Sequence, residues 1–150
     1  MRETRGEKVL RLGQPEAWGS RLALCSDGTV AAWGANDNGE LGDNTTTERH
    51  VPVEVNKASG VSALFGKRVV AIAAGSTHSL ALCSDGTVAA WGFNGSGALG
   101  DNTTTDRHSP VAVNRAPGVS ALYGKTVVAI AAGWAYSLAL CSDGTVAAWG

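Results

Sequence analysis

The nine-residue sequence Ser-Asp-Gly-Thr-Val-Ala-Ala-Trp-Gly occurs three times in the chain, beginning at Ser26, Ser84 and Ser142. Each copy begins 58 residues after the previous one. Aligned without a gap, residues 35–92 and 93–150 are identical at 44 of 58 positions. Self-similarity at a fixed period indicates one small structural unit that is copied and stacked, because a single copy cannot bury its apolar face alone.

Four short strands are predicted in each unit, since the apolar runs show no helical period and are separated by Gly, Asn, Asp and Pro. In residues 35–92 they are strand A at Val69–Ala74, strand B at Ser79–Cys83, strand C at Thr87–Trp91 and strand D at Val51–Val55. The uninterrupted apolar run of strand A predicts burial on both faces. The Pro of strand D suits a sheet edge, and one helical turn is expected at Val61–Phe65 in the D–A loop.

Asp85-Gly86 between strands B and C is a strong hairpin signal, because Gly accepts a positive φ and Asp tolerates one. Four antiparallel strands at a fixed spacing predict the blades of a β-propeller rather than the shorter coils of a β-solenoid. The predicted fold class is therefore all-β, a partial β-propeller of four-stranded antiparallel blades with a 58-residue repeat. Nine copied residues are expected to build this fold. The Trp of each copy is a wedge between blades, and the Asp-Gly pair forms the hairpin turn. The residues are Trp33, Trp91, Trp149, Asp27, Asp85, Asp143, Gly28, Gly86 and Gly144.

The repeat divides the chain into four segments. Residues 35–92 and 93–150 are full repeats, the second cut at a repeat boundary, and residues 17–34 are a partial repeat from the end of a blade. Residues 1–16 form a degenerate N-terminal segment, in which 8–13 is interpreted as a degraded copy of 68–75 with a longer spacer after it. We expect about two and a half repeats of a longer reading frame, and the alternative is a short form that assembles with copies of itself.

The run from Val69 through Gly100 carries a long composite motif, Val-Val-Ala-Ile-Ala-Ala-Gly, then His-Ser-Leu-Ala-Leu, Asp-Gly, Trp-Gly and Leu-Gly. It resembles the regulator of chromosome condensation repeat, over roughly residues 17–150. The resemblance implies a propeller of seven four-stranded blades. The Asp-Asn-Thr-Thr-Thr sequence is similar to bacterial members in large surface or secreted proteins, which implies a secreted or cell-surface location, although no signal peptide is visible in this chain.

Charge and hydropathy exclude two classes of partner. Twelve Lys and Arg against 13 Asp and Glu give a net charge of −1, so bulk charge does not favour nucleic acid. The longest apolar runs, such as Val69–Ala74, are far shorter than the ~18 residues of a membrane helix. We expect neither nucleic-acid binding nor membrane insertion.

The repeat provides an internal test for chemistry, because a residue needed only once should break the repeat. The cysteines recur every 58 residues and are predicted to be small buried strand residues: Cys25, Cys83 and Cys141. His78 stands where the other units have Ser20 and Tyr136, and it is interpreted as a structural polar contact. No nucleophile and acid accompany it, so no catalytic residue is predicted.

The loop after strand C carries the other candidates. Residues 37–40 with Asp43 and Asn44 suggest calcium, but the spacing is not that of an EF-hand, and residues 95–98 of the next copy lack the Asp and Glu of residues 37–40. A loop-stabilising Asn/Asp network is predicted instead, with no metal and no cofactor, and His50 and His108 are expected to be solvated. The glycosylation triplets at 44–46, 94–96 and 102–104 are interpreted as chance matches.

Of the 14 changes between the two full repeats, seven lie in two places, residues 76–78 against 134–136 and residues 35–40 against 93–98. In an up-and-down blade the A–B and C–D connections lie on the same face, so these changes are predicted to lie together. Three of them introduce an aromatic residue, Phe93, Trp134 and Tyr136, and Trp18 is a fourth candidate. Aromatic residues on a rigid loop rim are typical of contact surfaces; drift in exposed loops is the alternative.

These observations predict a non-enzymatic recognition module that presents loops to a protein partner, with a glycan as a second possibility. Further propeller repeats or self-association are expected to cover the open blade edges. Two alternatives stay open. The first is an enzyme-inhibiting or accessory propeller, since some members of the resembling family inhibit β-lactamases, and the second is guanine-nucleotide exchange on a small GTPase, which the family's name suggests.

Overall fold

The computed structural model describes residues 19–150 together with the backbone of residues 3–4 and 7–12. The strands are β1 (Glu3–Thr4), β2 (Glu7–Leu12), β3 (Ser20–Cys25), β4 (Val30–Gly34), β5 (Arg49–Glu54), β6 (Val69–Ala74), β7 (His78–Cys83), β8 (Val88–Gly92), β9 (Arg107–Ala112), β10 (Val127–Ala132), β11 (Ser137–Cys141) and β12 (Val146–Trp149). Within these described residues, no helix has the length and apolar character needed to cross a membrane.

The strands form three antiparallel sheets, which we call blades 1, 2 and 3. Blade 1 has the order β1-β2-β3-β4-β5, blade 2 the order β6-β7-β8-β9, and blade 3 the order β10-β11-β12. Every neighbouring pair is antiparallel. The predicted all-β class with antiparallel blades is confirmed, and blade 3 contains the three strands that correspond to A, B and C.

Strand β2 pairs with β3 in the same register as β6 with β7. Val9 lies opposite Cys25 and Arg11 opposite Leu24, with a register shift between Val9 and Arg11. In blade 2, Val69 lies opposite Cys83 and Ala71 opposite Leu82, with the same shift. The shared irregularity supports the interpretation of residues 8–13 as a degraded copy of strand A.

The sheets do not coincide with the sequence repeats. Blade 2 runs from Val69 to Ala112 and so crosses the boundary between Gly92 and Phe93. Its outermost strand, β9, comes from the repeat that also supplies β10, β11 and β12 of blade 3. Each repeat therefore begins in one blade and ends in the next, which connects consecutive blades through the chain itself.

The predicted strands agree with the observed ones to within one or two residues, and strand A has the predicted bounds. Strand D is the outer edge of blades 1 and 2. Pro52 and Pro110 have no backbone N–H to donate, and this is tolerated at an outer edge because the inner neighbouring strand does not need that donor. The expected burial of strand A on both faces is wrong at one position of β6, Val70, and at three positions of β10, Val128, Ala129 and Ala131. Val70 and Val128 are exposed, because each lies at a register shift of its strand, where a β-bulge leaves the extra residue unpaired.

The helical turn expected at Val61–Phe65 is replaced by successive tight turns. The Ser62 hydroxyl donates to the carbonyl oxygen of Asn56 at 2.6 Å and accepts the Leu64 N–H at 3.0 Å. Such side-chain bonds offer the backbone an alternative to helical pairing. The D–A loop is consequently held by its serine rather than by a helix.

Apolar residues pack in two seams between blades. The first seam, between blades 1 and 2, holds Leu22, Leu41, Ile72, Ala81 and Trp91, and the second repeats this arrangement between blades 2 and 3. Trp91 is fully buried, as the predicted wedge requires, and Trp149 is its half-buried copy in blade 3. On the far face of blade 3, Leu140 and Val146 are exposed whereas their copies Leu82 and Val88 are buried.

The B–C hairpins form as predicted. The Gly86 N–H donates to the carbonyl oxygen of Cys83 at 2.9 Å, and Gly86 has a φ of +83°. Asp85 Oδ1 accepts from the Thr87 N–H and hydroxyl, and its other oxygen pairs with Lys67. Hydrogen bonds from Lys67 and Thr87 lower the pKa of Asp85 to about 2. The same contacts recur in the third copy of the hairpin, around Asp143.

Candidate partner-binding rim

Backbone and side-chain hydrogen bonds bring the A–B turns and the C–D loops to one face. The Phe93 N–H donates to the carbonyl oxygen of Thr77 at 2.9 Å, which joins the two connections of blade 2. The Ser96 hydroxyl donates to the carbonyl oxygen of Ala135 at 3.1 Å, which joins blade 2 to blade 3. We call the surface formed by residues 75–77, 93–98 and 133–136 the rim.

The aromatic residues of the rim lie on a tightly packed backbone. The ring of Phe93 covers Gly95 and that of Tyr136 covers Gly133, so closely that a Cβ at either glycine would lie within 2.5 Å of ring atoms. The exposed fractions are 80% for Trp134, 51% for Tyr136 and 37% for Phe93. The structure therefore brings three of the four predicted residues to one face. Trp18 lies outside the described residues.

The base of the rim is fixed by a buried hydrogen-bond chain across the second seam. The Ser137 hydroxyl donates to the carbonyl oxygen of Ala98 at 2.8 Å, and His78 Nε2 lies 2.9 Å from the same hydroxyl. Because that hydroxyl proton is already used, we assign the hydrogen of the neutral imidazole to Nε2. Burial lowers the pKa of His78, against a smaller opposing effect of a backbone hydrogen bond with Tyr136. His78 is the structural polar contact predicted from the sequence.

The C–D loop that carries Phe93 is organised by Asn94, which is fully buried. Its Nδ2 group donates to the carbonyl oxygens of Thr103 and Thr105 at 3.0 Å, and its Oδ1 accepts the Leu99 N–H at 3.0 Å. Asn36 makes the same contacts in the preceding copy. The predicted Asn/Asp loop network is confirmed, and it holds the start of the loop rigid.

Asp101 closes this network by accepting from Thr103 and from Arg107 Nε at 2.8 Å. Burial raises its pKa, but the hydrogen bonds from Thr103, Arg107 and Asn94 outweigh burial, so the pKa is lowered. Asp43 has the equivalent partners. These carboxylates are therefore ionised structural acceptors at neutral pH.

The remaining chemical candidates occupy structural positions. Glu40, one of the acids that suggested calcium, accepts the N–H of Asn38 at 2.8 Å, and the part of the chain that the structure describes contains no group of three or more possible metal-binding acids, histidines or cysteines. Asn94 is inaccessible to a glycosylating enzyme. Cys83 and Cys141 are buried in their strands as predicted, whereas Cys25 is only partly buried. His50 and His108 are exposed as predicted, but they lie in strands β5 and β9 rather than in a loop.

The rim contrasts electrostatically with the opposite face. Residues 75–77, 93–98 and 133–136 include no charged side chain. The opposite face carries the Lys67–Asp85 and Lys125–Asp143 ion pairs. Contact surfaces are depleted in charged residues at their centre and enriched in aromatic ones, so the rim has the composition of such a centre.

Sequence comparison alone missed a second set of exposed apolar residues. Val61, Phe65, Val119 and Tyr123 lie in the D–A loops of the opposite face and are about half exposed or more. Val61 and Val119 are identical copies, and Phe65 and Tyr123 exchange one aromatic residue for another, so the comparison of copies did not single them out. A bulky residue directly beside a glycine of positive φ, outside any strand, is the available signal.

Antiparallel four-stranded blades packed side by side through apolar seams define the β-propeller class of repeat protein. Two family models match the chain, both described as the regulator of chromosome condensation (RCC1) repeat, one over residues 27–82 and 85–140 and the other over residues 69–98. The chain belongs to the RCC1 repeat family.

Among curated proteins, the chain is similar to the human E3 ubiquitin-protein ligase HERC2, with 36% identity over 129 residues, 86% of this chain and 2% of that protein. It is 35% identical to the mitochondrial RCC1 domain-containing protein RUG3 and 30% identical to the ultraviolet-B receptor UVR8, both of Arabidopsis thaliana. Each match covers 86% of this chain, and respectively 26% and 27% of those proteins. The chain thus spans about a quarter or less of these relatives.

Solved structures show the same fold. Human WBSCR16 superposes on 96% of this chain with a TM-score of 0.75 at 26% identity, and the match covers 34% of that structure. Yeast RCC1 (Prp20), solved bound to Kap60, superposes on 98% of this chain with a TM-score of 0.70 at 24% identity and covers 30% of that structure. These matches confirm the β-propeller architecture.

Proposed function

We propose that this chain is a non-enzymatic recognition module whose rim binds a protein partner through Phe93, Trp134 and Tyr136. The observation that carries the proposal is that these three side chains break an otherwise closely kept repeat, yet share one exposed, uncharged face. The copied residues build the blades, and the uncopied ones are available for discrimination between partners.

The rigidity of the rim supports binding over drift in a flexible loop. Phe93 and Tyr136 pack on glycine backbone, and the loop between Phe93 and Ala98 is fixed by buried Asn94 and by Ser96. A rigid contact surface loses little conformational entropy when a partner binds. Exposed aromatic residues in such a setting are commonly the residues that contribute most to binding energy.

A protein partner is favoured over a glycan because the rim is broad and is formed by two blades. Buried aromatic side chains each cover on the order of 150–250 Å², so three of them form the centre of an ordinary protein interface. The alternative function, inhibition of an enzyme, would use the same surface, and it differs from the proposed function only in that the partner is an enzyme. Exchange activity on a small GTPase is a separate class of function, which a nucleotide-release assay distinguishes. The expected secreted or cell-surface location stays a prediction.

The chain itself supplies the substitutions for the test. Replacing the three aromatic residues by their counterparts in other repeats gives Phe93→Ala, Trp134→Ser and Tyr136→Ser, matching Ala35, Ser76 and Ser20. Each replacement residue already occurs at that position of this fold. The control is Phe65→Ala with Tyr123→Ala, which removes two comparably exposed aromatic residues from the opposite face.

The immobilised chain is used to capture partners, and the affinity of each captured protein is then measured for both variants. Loss of one contact residue worth about 2 kcal/mol weakens binding about 30-fold. We expect at least this loss for the rim variant and an unchanged dissociation constant for the control. Equal binding by both variants to every captured partner would contradict the proposal.

A further inference from the structure

An acidic side chain lies beside the rim on the same face. Asp37 belongs to the C–D loop of blade 1, and its counterpart in the next repeat is Gly95. It is therefore one of the uncopied residues, like Phe93 and Trp134. Because the C–D loops of successive blades lie on one face, Asp37 extends the uncopied surface from blade 2 toward blade 1.

Hydrogen bonds fix the loop of Asp37 against blade 2 and bring it near Phe93. The Ser79 hydroxyl of blade 2 donates to the carbonyl oxygen of Glu40, in the same loop as Asp37, at 3.2 Å. Close to Ser79 along the chain, the carbonyl oxygen of Thr77 accepts the Phe93 N–H at 2.9 Å. Since packed sheets lie about 10 Å apart and an extended chain covers about 3.3 Å per residue, about three extended residues span the two loops.

The carboxylate of Asp37 is exposed and makes no hydrogen bond or ion pair within residues 19–150. Two other acids of its loop are used internally. Asp43 accepts from Arg49 Nε at 2.9 Å, and Glu40 is buried and accepts the Asn38 N–H at 2.8 Å. Asp37 thus presents to solvent a negative charge that these residues do not neutralise.

The loops around Asp37 and the rim contain no basic side chain that would repel a cation. Residues 35–40, 75–77, 93–98 and 133–136 include no Lys and no Arg. The arginines that follow the two loops are each paired with an aspartate, Arg49 with Asp43 and Arg107 with Asp101. A positively charged group of a partner therefore meets attraction on this face.

The exposed aromatic rings favour the same chemistry. The face of an aromatic ring carries a negative potential that attracts cations, and the attraction is strongest for Trp. Trp134 is the most exposed of the three aromatic side chains of the rim. The carboxylate and the rings thus both select a cationic side chain that is accompanied by an apolar one.

We infer that the rim and Asp37 together recognise an extended segment of a protein partner in which an arginine lies about three residues from an apolar side chain. The apolar side chain packs on the aromatic residues of the rim, and the guanidinium pairs with Asp37. Arginine is preferred to lysine because its planar guanidinium binds a carboxylate through two parallel hydrogen bonds and stacks on rings. This inference rests on the proposed function and names the chemistry of the partner.

The test uses a phage-displayed library of random dodecapeptides, panned in parallel against the complete chain, the rim variant, Asp37→Asn and Glu54→Gln. Asparagine keeps the size of the Asp37 side chain and removes only its charge. Glu54→Gln is the matched control, because Glu54 is a half-exposed carboxylate at the opposite end of its blade. We expect the peptides that the rim variant fails to enrich to carry Arg near an apolar residue several times more often than the starting library.

Fluorescence anisotropy then measures the affinity of the most enriched of these peptides for each protein. Asp37→Asn should weaken binding about fivefold, since an exposed ion pair contributes up to about 1 kcal/mol. Glu54→Gln should bind like the unsubstituted chain. Raising the salt concentration should weaken binding to the unsubstituted chain more than binding to Asp37→Asn, because salt screens the pair that only the former makes.

The possible failures of this inference and of the proposed function are distinguishable. Peptides that need the three aromatic residues but show no excess of Arg, or that bind Asp37→Asn as tightly as the unsubstituted chain, would overturn the inference and leave the rim as the contact surface. Absence of any enriched peptide, or enriched peptides that all bind the rim variant equally well, would contradict both.

Discussion

The indole Nε1 of Trp91 donates a hydrogen bond of 2.8 Å to the carbonyl oxygen of Glu40, across the seam between blades 1 and 2. The same oxygen accepts from the hydroxyl of Ser79 at 3.2 Å. In the next seam, the carbonyl oxygen of Ala98 accepts from Trp149 and Ser137 in the same way. One loop carbonyl of blade 1 and one of blade 2 each thus hold two strands of the following blade, which gives the copied Trp91 and Trp149 the same structural role.

Replacing Trp91 by Phe should destabilise the chain by about 1 kcal/mol, because the Glu40 carbonyl keeps Ser79 as a partner. Trp91→Ala should cost about 3–5 kcal/mol, since it also leaves a large cavity in the seam. Urea unfolding measures both. The control is Trp149→Phe, which should cost less than Trp91→Phe because Trp149 is only half-buried and water can replace its contact. Equal losses for Trp91→Phe and Trp149→Phe would contradict this explanation.

The buried amide of Asn94 should matter more than its exposed neighbour in the same loop. Asn94→Ala leaves the buried Leu99 N–H without its acceptor, so we expect a loss of about 2 kcal/mol in the free energy of unfolding. Asn102 is exposed with a φ of +64°, and Asn102→Gly should change stability by less than about 0.5 kcal/mol. Chemical denaturation of the two variants compares them directly. An Asn94→Ala variant as stable as Asn102→Gly would show that the network does not hold the loop.

Stability should fall on mild acidification because of His78. Its pKa in the folded chain is lowered from 6.5 by burial, so the unfolded chain binds the proton first as the pH falls. Stability is therefore complete above pH 6.5, decreases below it and stops decreasing below the folded-state pKa. His78→Gln keeps a donor for Ser137 but does not titrate, so its free energy of unfolding should be flatter between pH 5 and about 7. An identical pH dependence in both proteins would assign the effect elsewhere.

Gly42 should tolerate a side chain less well than Gly60, although both have a positive φ, +65° and +76°. Alanine at either position adds a backbone strain of about 1 kcal/mol. A Cβ at Gly42 would also lie 2.8 Å from the Trp91 ring, whereas at Gly60 it would meet nothing within 4 Å. We expect Gly42→Ala to cost about 1–3 kcal/mol more than Gly60→Ala in thermal or urea unfolding. Similar losses would mean that the ring moves away freely.

The blades could be predicted from the sequence because the 58-residue period isolates each apolar run between turn residues. Strand A and the Asp85-Gly86 hairpin depend only on local pattern, and they have the predicted positions. The shared face of Phe93 and Trp134 followed from the alternation of connections in an up-and-down blade.

What could not be predicted depends on contacts between distant residues. The bulge that exposes Val70 arises because the residues on either side of it pair with the adjacent residues Cys83 and Leu82. The length of the strand does not determine this pairing register. Asn94 organises its loop only because the chain folds back and brings the carbonyl oxygens of Thr103 and Thr105 to its Nδ2 group.

Hydrogen exchange of the chain with and without a partner captured through it tests the central claim most directly. If uncopied residues form the contact surface, partner binding should slow exchange in residues 75–77, 93–98 and 133–136 and leave the opposite loops, 60–66 and 118–124, unchanged. Protection confined to those opposite loops, with none at the rim, would contradict the assignment of recognition to Phe93, Trp134 and Tyr136.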